Sequence, residues 1–318
     1  MTEAFVHLSV LAQEAPEALV HGSEGIYVDG TFGRGGHSRK ILEKLGPNGR
    51  LIAFDRDPEA IKAARAITDP RFQIVHAPFS SMAQELQALG IEAVDGIFLD
   101  IGVSSPQIDD ASRGFSFRFE GPLDMRMDTT RGITAQTWLA TRSIDEMARV
   151  IREYGEERFA FAIAREIARV RELRPIETTK DLANLVANVV PKNKKDQNQH
   201  PATRTFQAIR IEINQELEEL RSTLSQAGAL LRPEGRLAVI SFHSLEDRIV
   251  KQFFDSKAHP ERQLDPRLPI RAEDLPQPWF TAIERIKPSR EECERNARAR
   301  SAILRVGTRT QTPWRDED

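Results

Sequence analysis

The sequence is poor in the features that mark secreted, membrane-spanning or metal-rich proteins. Its 318 residues include one cysteine, Cys293, which excludes an intramolecular disulfide and a zinc site built from thiolates. The N-terminal stretch lacks a basic segment and is interrupted by Glu3 and Glu14, unlike a signal peptide. No apolar run reaches the roughly 20 residues of a membrane span. We therefore expect a cytoplasmic protein that makes no membrane contact.

The sequence also has no large excess of positive or of negative charge. The 45 Lys and Arg residues against 48 Asp and Glu residues give a net charge of −3, which provides no overall argument for a nucleic-acid partner. The distribution is uneven, because residues 285–309 contain eight basic and three acidic residues. Basic side chains that could neutralise RNA phosphates occur in two runs: Lys192, Lys194, Lys195 and Arg204, then Arg290, Arg295, Arg298 and Arg300. Each run could equally be a solvated face.

The first hundred residues alternate between strand and helix patterns. Short apolar runs bounded by turn residues recur in "GIYVDG", "RLIAFD", "RFQIVHA" and "VDGIFLD". Stretches with helical spacing lie between them, as at Ile41, Leu42 and Leu45. Short strands that are apolar on both sides indicate a parallel sheet covered by helices on both faces. The predicted fold class is therefore α/β, with a doubly wound sheet.

Strand signals almost disappear over residues 109–211, where helix signals dominate. Ser143 and Glu146 form a capping box that predicts a helix ending at Gly155. The stretch "TTKDLANLVANVVP" predicts a second helix, ended by its final proline. Apolar spacing predicts one long helix over residues 206–231, stopping at "RPEG".

The simplest organisation is an α/β domain interrupted by a helical insertion. The first part of the α/β domain spans residues 1–108, the insertion spans 109–211, and the second part spans 212–318. In the second part, "RLAVISF" predicts a strand. "FTAIERIKP" and "SAILRVGTR" predict two more strands, joined by a basic connection that favours helix.

A glycine-rich loop follows the first predicted strand. The stretch "VDGTFGRGGHSRKIL" places Gly30, Gly33, Gly35 and Gly36 within seven positions. Glycines at this turn allow positive φ and close approach of a ligand to the backbone, although a plain tight turn would use them too. The loop lacks the Lys-Ser/Thr ending of a P-loop, and Ser38 stands where the dinucleotide pattern needs its third glycine.

Two acidic residues narrow the choice of ligand for this loop. Asp29 ends the first strand, where a carboxylate would repel a pyrophosphate but could pair with an amino group. Asp55 ends the second strand, 22 residues beyond Gly33, at the usual place for an acid that binds ribose hydroxyls. An adenosine ligand that carries a cationic amine instead of phosphates fits both, and S-adenosylmethionine is such a ligand.

A series of blocks along nearly the whole chain resembles one protein family. They are "HLSVLAQEAPEAL", "VDGTFGRGGHS", "AFDRDPEAI", "HAPFSSM", "FLDIGVSSPQIDDASRGFSF", "GPLDMRMD", "FQAIRIEINQELEEL", "GRLAVISFHSLEDRIVK" and "NARARSAILR". In this order they resemble the bacterial 16S ribosomal RNA (cytosine-N4)-methyltransferase family, which depends on S-adenosylmethionine. Ser9 and Ala297 stand where the family pattern has proline.

This resemblance implies a Rossmann-like class I methyltransferase sheet with an inserted helical substrate-recognition domain. It implies methyl transfer to N4 of a cytidine in 16S rRNA of the small ribosomal subunit, and it allows a homodimer. The cofactor-binding residues that it implies are Gly33, Gly35, Gly36, His37, Asp55, Phe79, Asp100 and Gln107. Alternative roles are open for three of them: His37 could begin a helix, Asp55 could cap one, although Asp57 before Pro58 fits that role better, and Phe79 could be plain core.

The segment "DIGVSSPQ" after the fourth strand carries the candidate catalytic residues, Asp100 and Ser105. Cytosine N4 is a poor nucleophile because its lone pair is delocalised into the ring. A residue that accepts its hydrogens would stabilise the charge that develops on it. Asp100 is the first candidate, either as this acceptor or as a cofactor ligand, whereas Ser104 and Ser105 could be turn formers only.

Two further motifs admit structural interpretations. In "SFHSLED", His243 could contact the base or accept a proton, or the motif could simply start a helix at Ser244. In "DMRMD" two aspartates flank Arg126, which indicates a salt-bridged turn, and we expect no metal there. A DNA or small-molecule amino methyltransferase and a non-catalytic adenosine-binding assembly factor are the rival functions.

Overall fold

The computed structural model describes residues 9–191, 200–265, 267 and 270–314. Seven strands form one sheet: β1 (Ile26–Asp29), β2 (Arg50–Asp55), β3 (Phe72–His76), β4 (Val94–Asp100), β5 (Leu231–Ser241), β6 (Phe280–Ile286) and β7 (Ile303–Arg309). The helices that precede the middle of the chain are α1 (Glu14–Leu19), α2 (Gly36–Lys44), α3 (Pro58–Ala64), α4 (Met82–Ala88) and α5 (Ser105–Asp109). Those that follow are α6 (Ala135–Thr141), α7 (Ile144–Gly155), α8 (Ala160–Arg171), α9 (Thr179–Val189), α10 (Thr203–Asn214), α11 (Glu216–Leu230), α12 (Ser244–Ala258) and α13 (Arg290–Arg295). Within the described residues, none of the helices has the length and apolar character needed to cross a bilayer.

The sheet has the order β3-β2-β1-β4-β5-β7-β6. Strands β1 to β5 pair in parallel, whereas β7 runs antiparallel to β5 and β6 antiparallel to β7. The predicted doubly wound α/β fold is therefore confirmed, and so are the two strands expected near the C-terminus with a helix between them. The strand order reverses between β1 and β4, which is where an open parallel sheet binds its ligands.

Burial on both faces explains why the central strands read as continuous apolar runs. In β1, Val28 belongs to one buried cluster and Tyr27 to another, and in β2 the same is true of Ile52 and Leu51. Successive side chains of a strand point to opposite faces, so each strand needs apolar residues on both. Helices α4, α11 and α12 contribute to the first cluster and α1 and α2 to the second.

The chain divides into two compact units. One is built from the segments up to Gly102 and from Leu217 onward, and contains the sheet; the other is Val103–Glu216. The division predicted from the sequence, at 108/109 and 211/212, thus lies several residues inside the edges of the second unit. The difference at the first edge has a physical reason, because Val103 and Ile108 pack against the core of the second unit.

The second unit is helical, and its helix ends follow local rules. Ser143 caps α7 in a capping box with Glu146, and the helix ends at Gly155 as predicted. Thr178 caps α9 in the same way, confirming the second predicted helix. The single helix predicted over residues 206–231 is wrong: Gln215, with φ of 51°, separates α10 from α11, and β5 already begins at Leu231.

Asn214, the last residue of α10, fixes an irregular loop of the second unit. Its Oδ1 accepts a hydrogen bond from the Met127 N–H at 2.7 Å, and its Nδ2 donates to the Met125 carbonyl at 2.7 Å. Met125 has a φ of 61°, a conformation that is uncommon for a residue with a side chain. Asn214 is buried, so its side chain holds the "DMRMD" loop from inside the unit.

We expect Asn214→Ala to lower the free energy of unfolding by about 2–4 kcal/mol, because it removes the side-chain partner of two backbone groups in a buried place. Urea denaturation followed by circular dichroism would measure the change. Asn184→Ala, on the exposed side of α9, is the matched control and should change stability by less than about 0.5 kcal/mol. Equal effects of the two substitutions would contradict this role.

Candidate functional site

The candidate site lies at the carboxyl edge of the sheet, where the strand order reverses. Asp29, Asp55 and Asp100 are the last residues of β1, β2 and β4, which are neighbours in the sheet. The glycine-rich loop connects β1 to α2 at the same edge. The sheet therefore brings together the acidic and glycine residues that the sequence predicted for the cofactor.

The loop glycines are explained by backbone conformation and by close packing. Gly33 and Gly35 have φ values of 57° and 75°, in the left-handed region that glycine adopts without steric cost. A Cβ atom on Gly35 would also lie 2.7 Å from the Phe32 ring, and one on Gly36 would collide with the Ser9 side chain. The contact of these glycines with a cofactor stays a prediction.

Asp29 accepts hydrogen bonds from the glycine-rich loop and from helix α2. Its carboxylate accepts hydrogen bonds from the Ser38 hydroxyl at 2.6 Å and from the Thr31 N–H at 3.0 Å. The side chain is fully buried, so the sequence-based idea that it pairs directly with an amino group of a ligand does not match its position. Burial raises the pKa of Asp29 to about 6, against the hydrogen bonds from Ser38 and Thr31, which lower it.

Asp55 ties the loop to the end of β2. It accepts hydrogen bonds from the Gly33 N–H at 2.7 Å and the Asp57 N–H at 2.8 Å. Asp57, not Asp55, caps α3 by accepting from the Glu59 N–H at 3.0 Å, as the sequence favoured. Burial raises the pKa of Asp55. Each carboxylate oxygen has a further lone pair, so ribose hydroxyls could bind as well.

Asp100 ends β4 with an unsatisfied oxygen. Its backbone N–H donates to the Thr31 hydroxyl at 2.6 Å, which joins β4 to the glycine-rich loop. Its Oδ2 lies 3.5 Å from His37 Nδ1, whereas its Oδ1 is buried and has no hydrogen-bond partner within the described residues. Burial, followed by the charges of Asp29 and Glu246, holds the pKa of Asp100 well above its usual range.

His37 is the second residue of α2 and is buried. Its Nε2 lies 2.9 Å from the Val10 carbonyl oxygen, and its ring packs on Phe98 with 4.6 Å between ring centroids. His37 therefore lies at the start of a helix, which is the alternative role that the sequence allowed for it. Its contact with a cofactor stays a prediction.

The remaining predicted cofactor and catalytic residues are divided between the two units. Phe79 follows β3 in a short 3₁₀ turn and is half-buried. It packs against the cluster on the face of the sheet that α4, α11 and α12 cover. Ser105 and Gln107 belong to α5 in the second unit, where Gln107 is buried and its Oε1 accepts a hydrogen bond from the Ser104 N–H at 3.0 Å. The turn-forming role considered for Ser104 is thus supported, and the roles of Ser105 and Gln107 toward a ligand stay predictions.

Helix α12 begins at Ser244, as the structural interpretation of the motif expected. His243, rather than Ser244, is the capping residue: its Nδ1 accepts a hydrogen bond from the Glu246 N–H at 3.4 Å. Glu246 accepts in return from the Phe242 and His243 N–H groups at 2.8 and 3.2 Å. An imidazole nitrogen can accept a hydrogen bond as a serine hydroxyl does. Histidine is nevertheless not among the residues usually expected to cap a helix. These contacts favour the structural interpretation of "SFHSLED".

The other charged motifs are mainly paired within the chain. Arg126 forms two hydrogen bonds to Asp124, at 2.7 and 2.8 Å, which confirms the salt-bridged turn. Arg290 and Arg295 pair with glutamates on α13 itself, at 3.0 and 3.5 Å. Lys192, Lys194 and Lys195 lie outside the described residues. Across 9–191, 200–265 and 270–314 no cluster of three His, Cys, Asp or Glu side chains is arranged to hold a metal.

Sequence reasoning missed the polar residues that support the acidic ones. Thr31 bridges Asp29 and Asp100, Ser38 donates to Asp29, and the charge of Glu246 acts on Asp100. In the sequence, Ser38 stands out only as the residue that breaks the dinucleotide pattern. The sequence offers one signal for the hydrogen bond from Ser38 to Asp29, the spacing of nine residues between them. That spacing is too common to predict the contact.

The electrostatics of this edge favour a cationic ligand. The charge of Asp55 raises the pKa of Asp29, and the charges of Asp29 and Glu246 raise the pKa of Asp100. The acids thus disfavour one another's ionisation, and a phosphate at the same place would add to the repulsion. A ligand carrying a positive charge would relieve it. These acidic side chains therefore suit an adenosine ligand with a cationic centre, the kind of ligand that the sequence predicted.

Comparison with known proteins gives a consistent result along the whole chain. The model of the MraW methylase family matches residues 4–310. A ribosomal RNA small subunit methyltransferase H from Methylobacillus flagellatus is 60% identical over 306 residues, which cover 96% of this chain and 94% of that protein. One from Janthinobacterium sp. (strain Marseille) is 57% identical over 310 residues, covering 96% and 95%.

We expect burial of Asp29 to make the ligand-free protein less stable as pH rises. Its folded-state pKa of about 6 exceeds the unfolded value of 3.8, so the folded state binds more protons between these values and loses stability as pH passes through this window. The loss is on the order of 3 kcal/mol. Urea denaturation at several pH values across and just above this window would measure it.

Asp29→Asn should flatten that dependence, since an amide can still accept from Thr31 and donate to Ser38. Glu92→Gln, at an exposed position, is the control and should keep the wild-type slope. If Asp29→Asn and wild type lose the same stability across this window, Asp29 is not the group responsible.

Proposed function

This chain belongs to the MraW methylase family, and we propose that it methylates N4 of a specific cytidine in 16S rRNA of the small ribosomal subunit. The family match and the relatives at 57% and 60% identity confirm the resemblance found in the sequence blocks. The chain is an S-adenosylmethionine-dependent methyltransferase. The observation that carries the proposal is the acidic edge around the glycine-rich loop, which suits a cation and disfavours a phosphate.

The residues predicted for the cofactor each suit one part of it. Asp55 would accept the ribose hydroxyls, the loop from Gly33 to His37 would border the methionine end, and Phe79 would lie against the adenine as an apolar wall. Gln107 and Asp100 keep the cofactor contacts that the family resemblance implies. S-adenosylmethionine supplies a methyl group on a sulfonium, so the leaving group is a neutral thioether that needs no acid.

The protein then has to orient the amine and stabilise the charge that develops on it. Asp100 is suited to accept the hydrogens of N4 because Oδ1 is buried and lacks a partner within the described part of the chain. An acceptor held in place before the reaction stabilises positive charge on nitrogen without reorganisation. The hydrogen bond from the Asp100 N–H to Thr31 supports this placement, because it fixes the end of β4.

The substrate is proposed to be a structured part of the small subunit, reached in the cytoplasm. The overall charge of −3 gives little general attraction to RNA, so selection has to come from the shape of the target and from local basic segments. We propose that the helical second unit helps to hold a cytosine that is unstacked from its neighbours. The sequence leaves a homodimer open, and sedimentation of the purified protein would test it.

Asp55→Ala and Asp100→Asn should separate binding from turnover. We expect Asp55→Ala to weaken S-adenosylmethionine binding by about tenfold or more, because it removes a charged acceptor. Asp100→Asn should lower kcat by about 100-fold with a smaller effect on cofactor affinity. Calorimetry and single-turnover kinetics would measure the two quantities, with Glu92→Gln as control. Equal losses of affinity and kcat in both variants would contradict this division of roles.

Methyl transfer to alternative substrates tests the function itself. We expect label from tritiated S-adenosylmethionine to enter small subunits, and digestion of the rRNA to nucleosides should yield N4-methylcytidine. Naked rRNA, DNA and free cytidine are the comparison substrates. Preferential labelling of DNA or free cytidine would support an amino methyltransferase of another kind, and cofactor binding without any labelling would support an assembly factor.

The basic run in the insertion has its own test. Replacing Lys192, Lys194 and Lys195 together by Gln removes three positive charges, so the slope of log affinity for small subunits against log salt should become shallower by about 2. Filter binding at several salt concentrations would measure it. An unchanged slope would show that this run does not contact RNA phosphates.

A further inference from the structure

His37 and Asp100 form a buried pair in which one side of the imidazole faces a carbonyl and the other a carboxyl group. Nε2 lies 2.9 Å from the Val10 carbonyl oxygen, and Nδ1 lies 3.5 Å from Asp100 Oδ2. The ring is held in this orientation by α2, which carries His37, and by packing on Phe98. Because both residues belong to the first unit, the pair is a feature of that unit alone.

The Val10 carbonyl determines which nitrogen carries the first proton. A carbonyl oxygen only accepts hydrogen bonds, so Nε2 has to be the N–H donor. In the neutral imidazole Nδ1 is then a lone pair that faces a carboxylate oxygen, and two acceptors would repel each other. A second proton located between Nδ1 and Oδ2 removes this repulsion. At 3.5 Å, a proton on Nδ1 would turn this repulsion into an attraction between the imidazolium and the Asp100 carboxylate.

We propose that His37 is a positioning residue that takes this proton on Nδ1 and so keeps Asp100 ionised as the acceptor for the hydrogens of the substrate amine. The proposal rests on the proposed function, in which Asp100 has this role. It differs from the role implied by the family resemblance, where His37 contacts the cofactor, because here the imidazole acts through Asp100.

The surrounding charges favour the proton on His37. Asp29 and Glu246 act on Asp100 as negative charges, and burial disfavours a carboxylate. These effects hold the pKa of Asp100 above its usual range, and a protonated carboxyl group could not accept both hydrogens of the amine, so a cationic neighbour would help to keep Asp100 ionised. The same negative groups stabilise an imidazolium. His243 is turned to Glu246, with 2.9 Å between Nε2 and Oε1.

The proposed step balances in atoms and charge. The N4–carbon bond forms as the carbon–sulfur bond breaks, and the electron pair of the broken bond goes to sulfur. The methylated nitrogen is left with one proton too many, which Asp100 takes on Oδ1 and later gives to water. His37 keeps its proton throughout. Its positive charge is needed before the step, when Asp100 has to be ionised.

The decisive variant is His37→Gln. Glutamine can still donate to the Val10 carbonyl from Nε2 but cannot take a proton, so folding should be retained. We expect kcat at pH 7 to fall by about tenfold or more, and the acid limb of the pH–kcat profile to move up by about one unit or more. Because the substitution keeps the backbone of the loop that would border the cofactor, cofactor affinity should fall by much less than kcat. His21→Gln, at an exposed position, is the control and should leave the profile unchanged.

A second measurement reports the protonation state of His37 without depending on methyl transfer. In ligand-free protein with ¹⁵N-labelled histidine, we expect His37 to carry protons on both nitrogens at pH 7, and Asp100→Asn to convert it to the neutral form with the proton on Nε2. A neutral His37 in the wild type, or a pH–kcat profile of His37→Gln that matches the wild type, would overturn the proposal. If the wild type transfers no methyl group while the nitrogen signals behave as expected, the proposed function fails and the pair stands.

Discussion

The burial of acidic side chains at the ends of neighbouring parallel strands is the constraint on which the rest of the site depends. A buried carboxylate is costly unless hydrogen bonds satisfy it. Asp29 and Asp55 obtain those bonds from backbone groups of the loop between β1 and α2, from the Ser38 hydroxyl in α2 and from the start of α3. The acids therefore determine the path of the loop. Gly33 and Gly35 follow from that path, because it needs positive φ at both positions.

The same constraint bears on the ligand that the proposed site would take. Hydrogen bonds from neutral groups satisfy individual oxygens but leave the negative charge in place, and the charges of Asp29 and Glu246 accumulate near Asp100. A cofactor with a sulfonium and an ammonium group compensates such an edge, whereas a dinucleotide would add charge of the wrong sign. At the proposed site, the charges at the strand ends thus argue for a cationic ligand more strongly than the number of glycines in the loop does.

The sequence predicted those parts of the molecule that local chemistry determines. The strand ends at Asp29 and Asp55, the cap at Asp57 and the capping box at Ser143 each depend on a few adjacent residues. The break between α10 and α11 at Gln215 was missed because apolar spacing continues across it, and only the backbone shows the left-handed residue. The contact of Ser9 with Gly36 and the charge of Glu246 near Asp100 come from packing between distant segments, which spacing along the chain does not record.

His37 shows how the two kinds of information combine. The sequence alone allowed it to contact a cofactor or to begin a helix, and the structure places it at a helix start with both ring nitrogens directed at protein atoms. A helix start needs no imidazole, since many residues serve at the second position of a helix. A buried pair of ionisable groups is also costly compared with apolar residues of the same size. The cost is intelligible if the pair has the proposed chemical task, for which Asp100 Oδ1 is available because it has no hydrogen-bond partner among the described residues.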